Sequence, residues 1–520
     1  MSSHGIAQNE PLAVAPHGST RFRFARNVGT NALYLVLSSV LMFWYTPFLL
    51  NRLGEAAFGV IALANGLALF AVIVSSALNI SLSRQLTLDL SLSDFESANQ
   101  TFNTALRLSV VGLMLSLPVA AGLIILAPLV VTLPSGIETE SQALFAAVLF
   151  TTLLAMVSGC FGVASLVRQR FDLRNLARGV VLLARVGVVL AFAAIGQLSL
   201  WHITLGFLIS AIIGLLGDVA ICRMLLPELR LSRASVDPGK VAILLNTGVW
   251  SVLNQLGVIL LMQADIFIVS ALFGADATGR YGALLVLVVL IHALAETIIS
   301  VLWPLILAYF AAGRLTEMTA IAAQAIRLLA LALAVPVGLL VGFANPFLTL
   351  WLGPAYADLD NLLTALIVCL PLYLFLRPIS YILTAHDRVR AQAIGTLAFA
   401  FLHVVLGITL ASALGWGPIG IAVSGACVWT ARNAFFLPAY TRSVTGTASW
   451  SLVSPALPGF AATIALALCC RELIFLWPPQ QWISLGAQVA FMGALSASFL
   501  YAAALQPADR MLLRRFKMRG

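Results

Sequence analysis

Residues 249–273, VWSVLNQLGVILLMQADIFIVSALF, are followed by GADATGR and then by YGALLVLVVLIHALAETIISVLWPLILAY, residues 281–309. Each apolar run reaches or exceeds the roughly 20 residues that a helix needs to cross the hydrocarbon layer. Lipid offers no partner to an open backbone, so a run of this length and composition predicts a helix satisfied by its own hydrogen bonds. The glycine and small residues between the runs suit a tight turn. The stretch therefore reads as a transmembrane hairpin.

The pattern repeats along the chain. Fourteen segments qualify, near 31–50, 57–80, 108–132, 143–166, 179–196, 203–222, 249–273, 281–309, 325–349, 361–384, 393–413, 417–439, 452–470 and 483–505. The fifth is short. Composition agrees: 61% of residues are apolar and 9% charged, against roughly 25% charged in soluble domains, and the mean hydropathy is +1.02. The fold expected is all-α and polytopic, with about 14 transmembrane helices.

Charge gives an orientation. Most of the 29 Lys and Arg residues fall in alternate gaps: Arg168, Arg170, Arg174 and Arg178; Arg223, Arg230, Arg233 and Lys240; Arg388 and Arg390; and the tail Arg510, Arg514, Arg515, Lys517 and Arg519. The other gaps hold Arg52, Arg280 and Arg471. Short basic loops are retained on the cytoplasmic side, which places both termini in the cytoplasm of a cell whose inner membrane holds the chain. The net charge of +9 is spread over loops instead of forming one stripe. That pattern fits anionic membrane lipids and not a nucleic acid.

The first 26 residues contain Pro11 and Pro16 and no apolar core, so no signal peptide is read there. The six cysteines lie in or beside apolar segments without paired metal-ligand spacing, and neither disulfides nor a metal or other cofactor is expected. External gaps of about a dozen residues at most cannot fold as domains, which take roughly 50. Function is expected inside the membrane.

An internal echo points to two halves. PFLLNRLGEAAFG (47–59) and DIFIVSALFGADATGRYG (265–282) each carry an apolar helix end, a Gly, a small-residue turn and an aromatic-Gly pair opening the next helix. The expected layout is a cytoplasmic tail (1–26), an N-lobe of six spans (27–222), a connector (223–248), a C-lobe of six spans (249–440), two appended spans (441–505) and a basic tail (506–520). Such repeats commonly build alternating access around a central site.

Charge inside a span costs about 2.5–3.5 kcal/mol and so faces protein or a wet cavity. Five residues stand out: Arg185, Asp218, Asp265, Glu296 and Arg377. A local pair with Arg223 accounts for Asp218. Arg377 shares a helical face with Tyr373, Ser380, Tyr381 and Thr384, and lies about 10 Å from the cytoplasmic edge at 1.5 Å per residue. Arg185 has comparable depth. Either arginine can snorkel, or grip an anionic headgroup with its planar fork. Asp265 falls on one face with Trp250, Asn254 and Leu261, and Glu296 sits four residues after His292. Each carboxylate must be neutral, paired with arginine, or bound to a cation, and a group that exchanges these states could couple ion movement to transport. Asn31, Tyr34, Ser38 and Tyr45 stripe the first span, a mixture suited to sugars or to helix contact. His403, alone in its span, reads as a packed core residue.

These features resemble a known family. The opening RNVGTNALYLVLSSV, the turn LLNRLGEAAFG, the run LNQLGVILLMQADIFIVSALFGADATGRYG and the later NPFLTLWLGPAYADLD are similar to the Wzx-type polysaccharide-export flippases of the MOP (multidrug/oligosaccharidyl-lipid/polysaccharide exporter) superfamily. The resemblance covers the first twelve spans. It implies a V of two six-helix bundles that moves undecaprenyl-pyrophosphate-linked repeat units, for O-antigen or exopolysaccharide, from the cytoplasmic to the periplasmic leaflet. Under that reading Arg185 and Arg377 neutralise pyrophosphate. Asn31, Tyr34, Ser38, Tyr45, Trp250, Asn254, Tyr373 and Tyr381 line the sugar path, and Asp265 or Glu296 exchanges a proton or sodium ion. Polysaccharide polymerase or export machinery would be a partner.

Rival readings stay open. A MATE-type antiporter for organic cations would share the bundles, but two buried arginines oppose it. A lipid II flippase would carry an arginine- and aspartate-rich opening that is missing here. A polytopic polymerase or glycosyltransferase would need a paired acid and base for sugar chemistry, which is not evident, so the chain is expected not to be an enzyme.

Overall fold

The computed structural model describes residues 18–196, 198–232, 237, 239–241, 249–299 and 302–501. The predicted basic tail at 506–520, residues 1–17 of the N-terminal tail and much of the connector lie outside them.

The described residues are helical, with no strand among them. Among the described residues eleven stretches are long and apolar enough to cross a membrane, and one of these, Val252–Ala311, contains a break at Gly274. In chain order the first half comprises α1 (Gly18–Leu53), α2 (Glu55–Ser91), α3 (Phe95–Val130), α4 (Glu138–Val167), α5 (Phe171–Ile195) and α6 (Leu200–Leu225). The second half opens with α7 (249–273) and α8 (275–299), and α9 (Leu302–Ala311) follows. The echo has a backbone counterpart. Gly54, between α1 and α2, has φ 83° and ψ 169°, and Gly274, between α7 and α8, has φ 83° and ψ −174°. Both turns need a conformation that only glycine adopts without strain.

α5 differs from the expected fifth span. It begins at Phe171, so Arg174 and Arg178, assigned above to a loop, lie in its first turns. Its apolar stretch looked short because arginines interrupt the composition without interrupting the helix.

The tenth span departs further. After α10 (Leu315–Gly342) and α11 (Ala344–Trp351), the expected single helix is three pieces: α12 (Asp360–Ile367), α13 (Leu370–Leu374) and α14 (Pro378–Ala385). Pro371 and Pro378 lack the N–H that would continue the ladder, and their rings crowd the preceding turn. The hydrogen-bond ladder is interrupted, but the joint residues Val368, Cys369, Phe375 and Arg377 keep right-handed helical dihedrals, and Tyr373 and Arg377 still look toward α8 together, beside His292 and Glu296. Arg377 sits at the joint before α14, and Tyr373 is buried.

The chain ends with α15 (Val389–Ile408), α16 (Pro418–Thr430), α17 (Leu437–Thr445), α18 (Ser449–Val453), α19 (Leu457–Leu476) and α20 (Trp482–Phe499). α15 runs into a π-helical turn over Thr409–Ala413, and α16 into another over Ala431–Phe436. α19 is not a loose appendage: it packs along α10, with Gly459 against Ala330 and Gly342 against Cys470.

The two halves form lobes that meet along α2 with α7 and α8. Their contact is glycine-lined. A Cβ on Gly279 would lie 1.9 Å from the Glu55 carbonyl oxygen, and one on Gly59 would lie 2.6 Å from the Ala275 carbonyl oxygen. Without a hydrophobic force between helices in lipid, such close backbone approach provides the dispersion contact that holds them. The seam lies on the face bearing the turns at Gly54 and Gly274, opposite the face bearing Arg168, Arg170, Arg314 and Arg388. Side-chain links between the lobes are on that same face: the Trp351 indole N–H donates to the Phe43 carbonyl at 2.8 Å, Thr132 donates to the Ser270 carbonyl at 3.2 Å, and Arg280 lies 3.9 Å from Glu55. Phe43 and Trp351 also stack, with centroids 5.0 Å apart.

Candidate functional site between the lobes

Below the seam the lobes enclose a central cavity of about 500 Å³. Its size falls within the range of small-molecule sites. The wall is mostly apolar, led by Leu, Val, Ala and Ile, and is interrupted by Thr46, Asn65, Gln263, Asp265 and His292 and by the rings of Tyr45, Tyr373 and Trp429. α5 contributes Arg185, whose Nε lies 3.3 Å from the Ser210 hydroxyl and whose guanidinium sits 4.0 Å over the Phe207 ring. That cation–π contact offsets part of the cost of holding charge at depth. Tyr373 and Trp429 stack with centroids 5.3 Å apart, giving the C-lobe wall a flat aromatic panel.

Four of the twelve residues singled out from the sequence thus meet at this cavity: Tyr45, Arg185, Asp265 and Tyr373. Arg185 and Tyr34 also line a second hollow, of about 380 Å³, within the first lobe. The others lie elsewhere. Asn31 is exposed, and Ser38 donates to the Leu35 carbonyl at 3.0 Å. Trp250 is partly exposed beneath the Arg390 guanidinium, and Tyr381 packs edge-on against Trp303. Asn254 accepts a hydrogen bond from Thr396 at 2.9 Å inside the C-lobe. None of these five is among the residues lining the central cavity.

Glu296 and Arg377 form an ion pair between α8 and the joint before α14, each side chain about two-fifths exposed. Of the three states open to a carboxylate in a span, Glu296 adopts pairing with arginine. It sits one helical turn beyond His292, which lies in the cavity wall.

Asp265 is held differently. His403 Nε2 donates to its Oδ1 at 2.5 Å, and the Tyr281 hydroxyl donates to its Oδ2 at 2.9 Å. On the other side of the ring, Nδ1 of His403 lies 2.7 Å from the Ser424 hydroxyl, which is also 3.0 Å from the Ile421 carbonyl. With Nε2–H given to Asp265, Nδ1 of the neutral ring accepts a hydrogen bond from the Ser424 hydroxyl. His403 is fully buried, as a core residue should be, but it is also the partner of Asp265. Only folding reveals this, because 138 residues separate the two.

A second network was also missed. Arg432, 4% exposed, lies in the π-helical turn and donates from Nε and Nη2 to Thr396 Oγ1 at 3.0 and 2.8 Å, and from Nη1 to Asn433 Oδ1 at 2.6 Å. Asn433 in turn donates to the Tyr373 carbonyl at 2.8 Å. An arginine inside the apolar segment 417–439 was a legible signal for it. Asp218 is likewise not matched to Arg223. It accepts from Ser158 at 2.6 Å, and faces Arg174 and Arg178. Among the described residues no group of three or more His, Cys, Asp or Glu is arranged to hold a metal ion.

Solved structures share this arrangement of helices. The chain aligns with lipid II flippase MurJ in an inward closed conformation at TM-score 0.61 and 12% identity, covering 91% of this chain and 100% of MurJ. It aligns with an inward-facing multidrug resistance MATE transporter of the MOP superfamily at TM-score 0.57 and 13% identity, covering 84% of this chain and 95% of that one. No family model matches the sequence. The uncharacterized membrane protein EpsK of Bacillus subtilis (strain 168) is 30% identical over 503 residues, which are 95% of this chain and 98% of EpsK. The chain belongs to the family of that membrane protein.

Proposed function

We propose that this protein flips undecaprenyl-pyrophosphate-linked oligosaccharide repeat units from the cytoplasmic to the periplasmic leaflet of a bacterial inner membrane, for O-antigen or exopolysaccharide synthesis. The arginine-rich face is the cytoplasmic one in this reading, as the loop charges favour. The observation that carries it is Arg185 in the wall of a cavity between two lobes that meet on one face. A guanidinium at that depth suits the pyrophosphate, while the polyprenyl tail stays in lipid and crosses no barrier. Arg377, in the other lobe, is the second phosphate contact, released when its pair with Glu296 opens. Tyr45, Tyr373 and Trp429 offer ring faces to the sugars. Asp265 with His403, and Glu296 with Arg377, are the groups through which an ion gradient acts. Among the structures of similar fold, MurJ is by name a lipid II flippase, which supports a lipid-linked cargo.

The test is reconstitution into vesicles with a fluorescent short polyprenyl-pyrophosphate glycan. Flipping exposes the glycan to an external lectin or reductant with its mass unchanged. A mass change would mark an enzyme and overturn the proposal. The apolar wall together with Asp265 supports a second reading, a MATE-like organic-cation antiporter. Gradient-driven uptake of a lipophilic cation without glycan exposure would establish that reading instead.

A further inference from the structure

The second hollow lies inside the first lobe, between α1, α2, α4, α5 and α6, toward the arginine-rich face. Arg174, Arg178 and Arg185 all line it, and all come from α5 at positions i, i+4 and i+11. At about 100° per residue these fall within roughly 40° of one another, so one stripe of α5 carries three guanidiniums over about 16 Å. Arg185, at the inner end, also lines the central cavity. Neither Arg174 nor Arg178 has a side-chain hydrogen bond or ion-pair partner within 4 Å among the described residues, although Arg174 is half-buried. The one carboxylate in the hollow, Asp218, faces both but is bonded to Ser158. Asn79 reaches in from α2 with a buried oxygen that has no partner. Its carboxamide presents either an oxygen or two N–H donors by rotation.

We infer that this hollow is a binding site for a phosphate or diphosphate ester, occupied before the central cavity, with Arg174 and Arg178 as its ligands and Arg185 passing the anion inward. Three guanidiniums against one carboxylate leave the hollow short of negative charge, and planar donors match phosphate oxygens in pairs. Asn79 adds an N–H to the same anion. The site deepens the flippase reading and rests on it for the identity of the natural ester. The shared chemistry is the diphosphate, which a lipid-linked headgroup or a free pyrophosphate would supply alike.

The experiment is equilibrium binding of radiolabelled farnesyl diphosphate to the full chain in nanodiscs, with inorganic pyrophosphate and phosphatidylglycerol as competitors. Arg174→Gln with Arg178→Gln should weaken binding by about tenfold or more. Arg314→Gln, at the surface beside Glu317, should not. Asp218→Asn should tighten binding several-fold, a gain that misfolding cannot produce. Competition by pyrophosphate, with phosphatidylglycerol inert, assigns the site to the diphosphate itself. Equal competition by phosphatidylglycerol, or unchanged affinity in both the arginine and the Asp218 variants, overturns it. Wild-type glycan flipping with unchanged binding in these variants would remove the site and leave the flippase reading standing. Altered binding without flipping in the wild type would do the reverse.

Discussion

The Asp265 carboxylate of α7 and the His403 imidazole of α15 are joined by a 2.5 Å hydrogen bond deep in the second lobe, with Tyr281 and Ser424 closing the two ends of the chain of contacts. Removing His403 leaves the buried Asp265 carboxyl without one of its two hydrogen-bond donors. His403→Ala should therefore lower stability by about 3–5 kcal/mol, and adding Asp265→Asn should recover part of that loss. Thermal unfolding of the two single variants and the double variant in detergent measures the coupling. Strictly additive effects would show that the two side chains act independently.

Glu296 and Arg377 form the other ion pair at depth in the second lobe. Arg377→Ala should slow glycan exposure by about tenfold, the scale of a lost charge-assisted hydrogen bond, without preventing membrane insertion. Normal exposure at matched expression would take Arg377 out of the substrate path. Glu296→Gln should remove any dependence on an ion gradient. A gradient response equal to that of the wild type would exclude Glu296 from coupling.

The seam at Gly279 has no room for a methyl group, and the obstructing atom is backbone. Gly279→Ala should push the lobes apart on that face and shift the population toward states open there. Electron–electron distances between nitroxides on Ala56 and Ala357, in a cysteine-free background, should lengthen. An unchanged distance distribution would mean that the seam absorbs the methyl group by local adjustment.

Gly459 lets α19 lie directly on Ala330 of α10. Gly459→Leu should cost about 1–3 kcal/mol through overpacking and loosen α19 from the lobe. With Cys470 kept as the sole cysteine, its labelling by a membrane-permeant maleimide should accelerate, because Cys470 is fully buried between the two helices in the wild type. Unaltered labelling would show that the last two helices tolerate the side chain in place.

The helical class, the hairpin turns and the division into two lobes were legible because they depend on local properties: apolar length, and glycine where φ must be positive. The broken tenth span was legible in principle from Pro371 and Pro378, since proline acts on its own turn. Side-chain partners were not. Periodicity can say that Asp265 and Asn254 share a face of α7, but not that the first meets His403 while the second meets Thr396. Likewise Asn31, Ser38, Trp250 and Tyr381 carry the polar and aromatic chemistry expected of a sugar path, yet lie outside the cavity wall. Their placement depends on how helices rotate against one another, which no single helix encodes. Arg174 and Arg178 were misplaced for a simpler reason: basic residues near a membrane edge look the same in a loop and in a first helical turn.

The lobes touch almost backbone to backbone at Gly59 and Gly279, with only the Thr278 Cβ beside Gly59. A joint of that kind is indifferent to what the chamber holds. Under the flippase reading, its walls can be rewritten residue by residue for a different passenger while the seam stays the same.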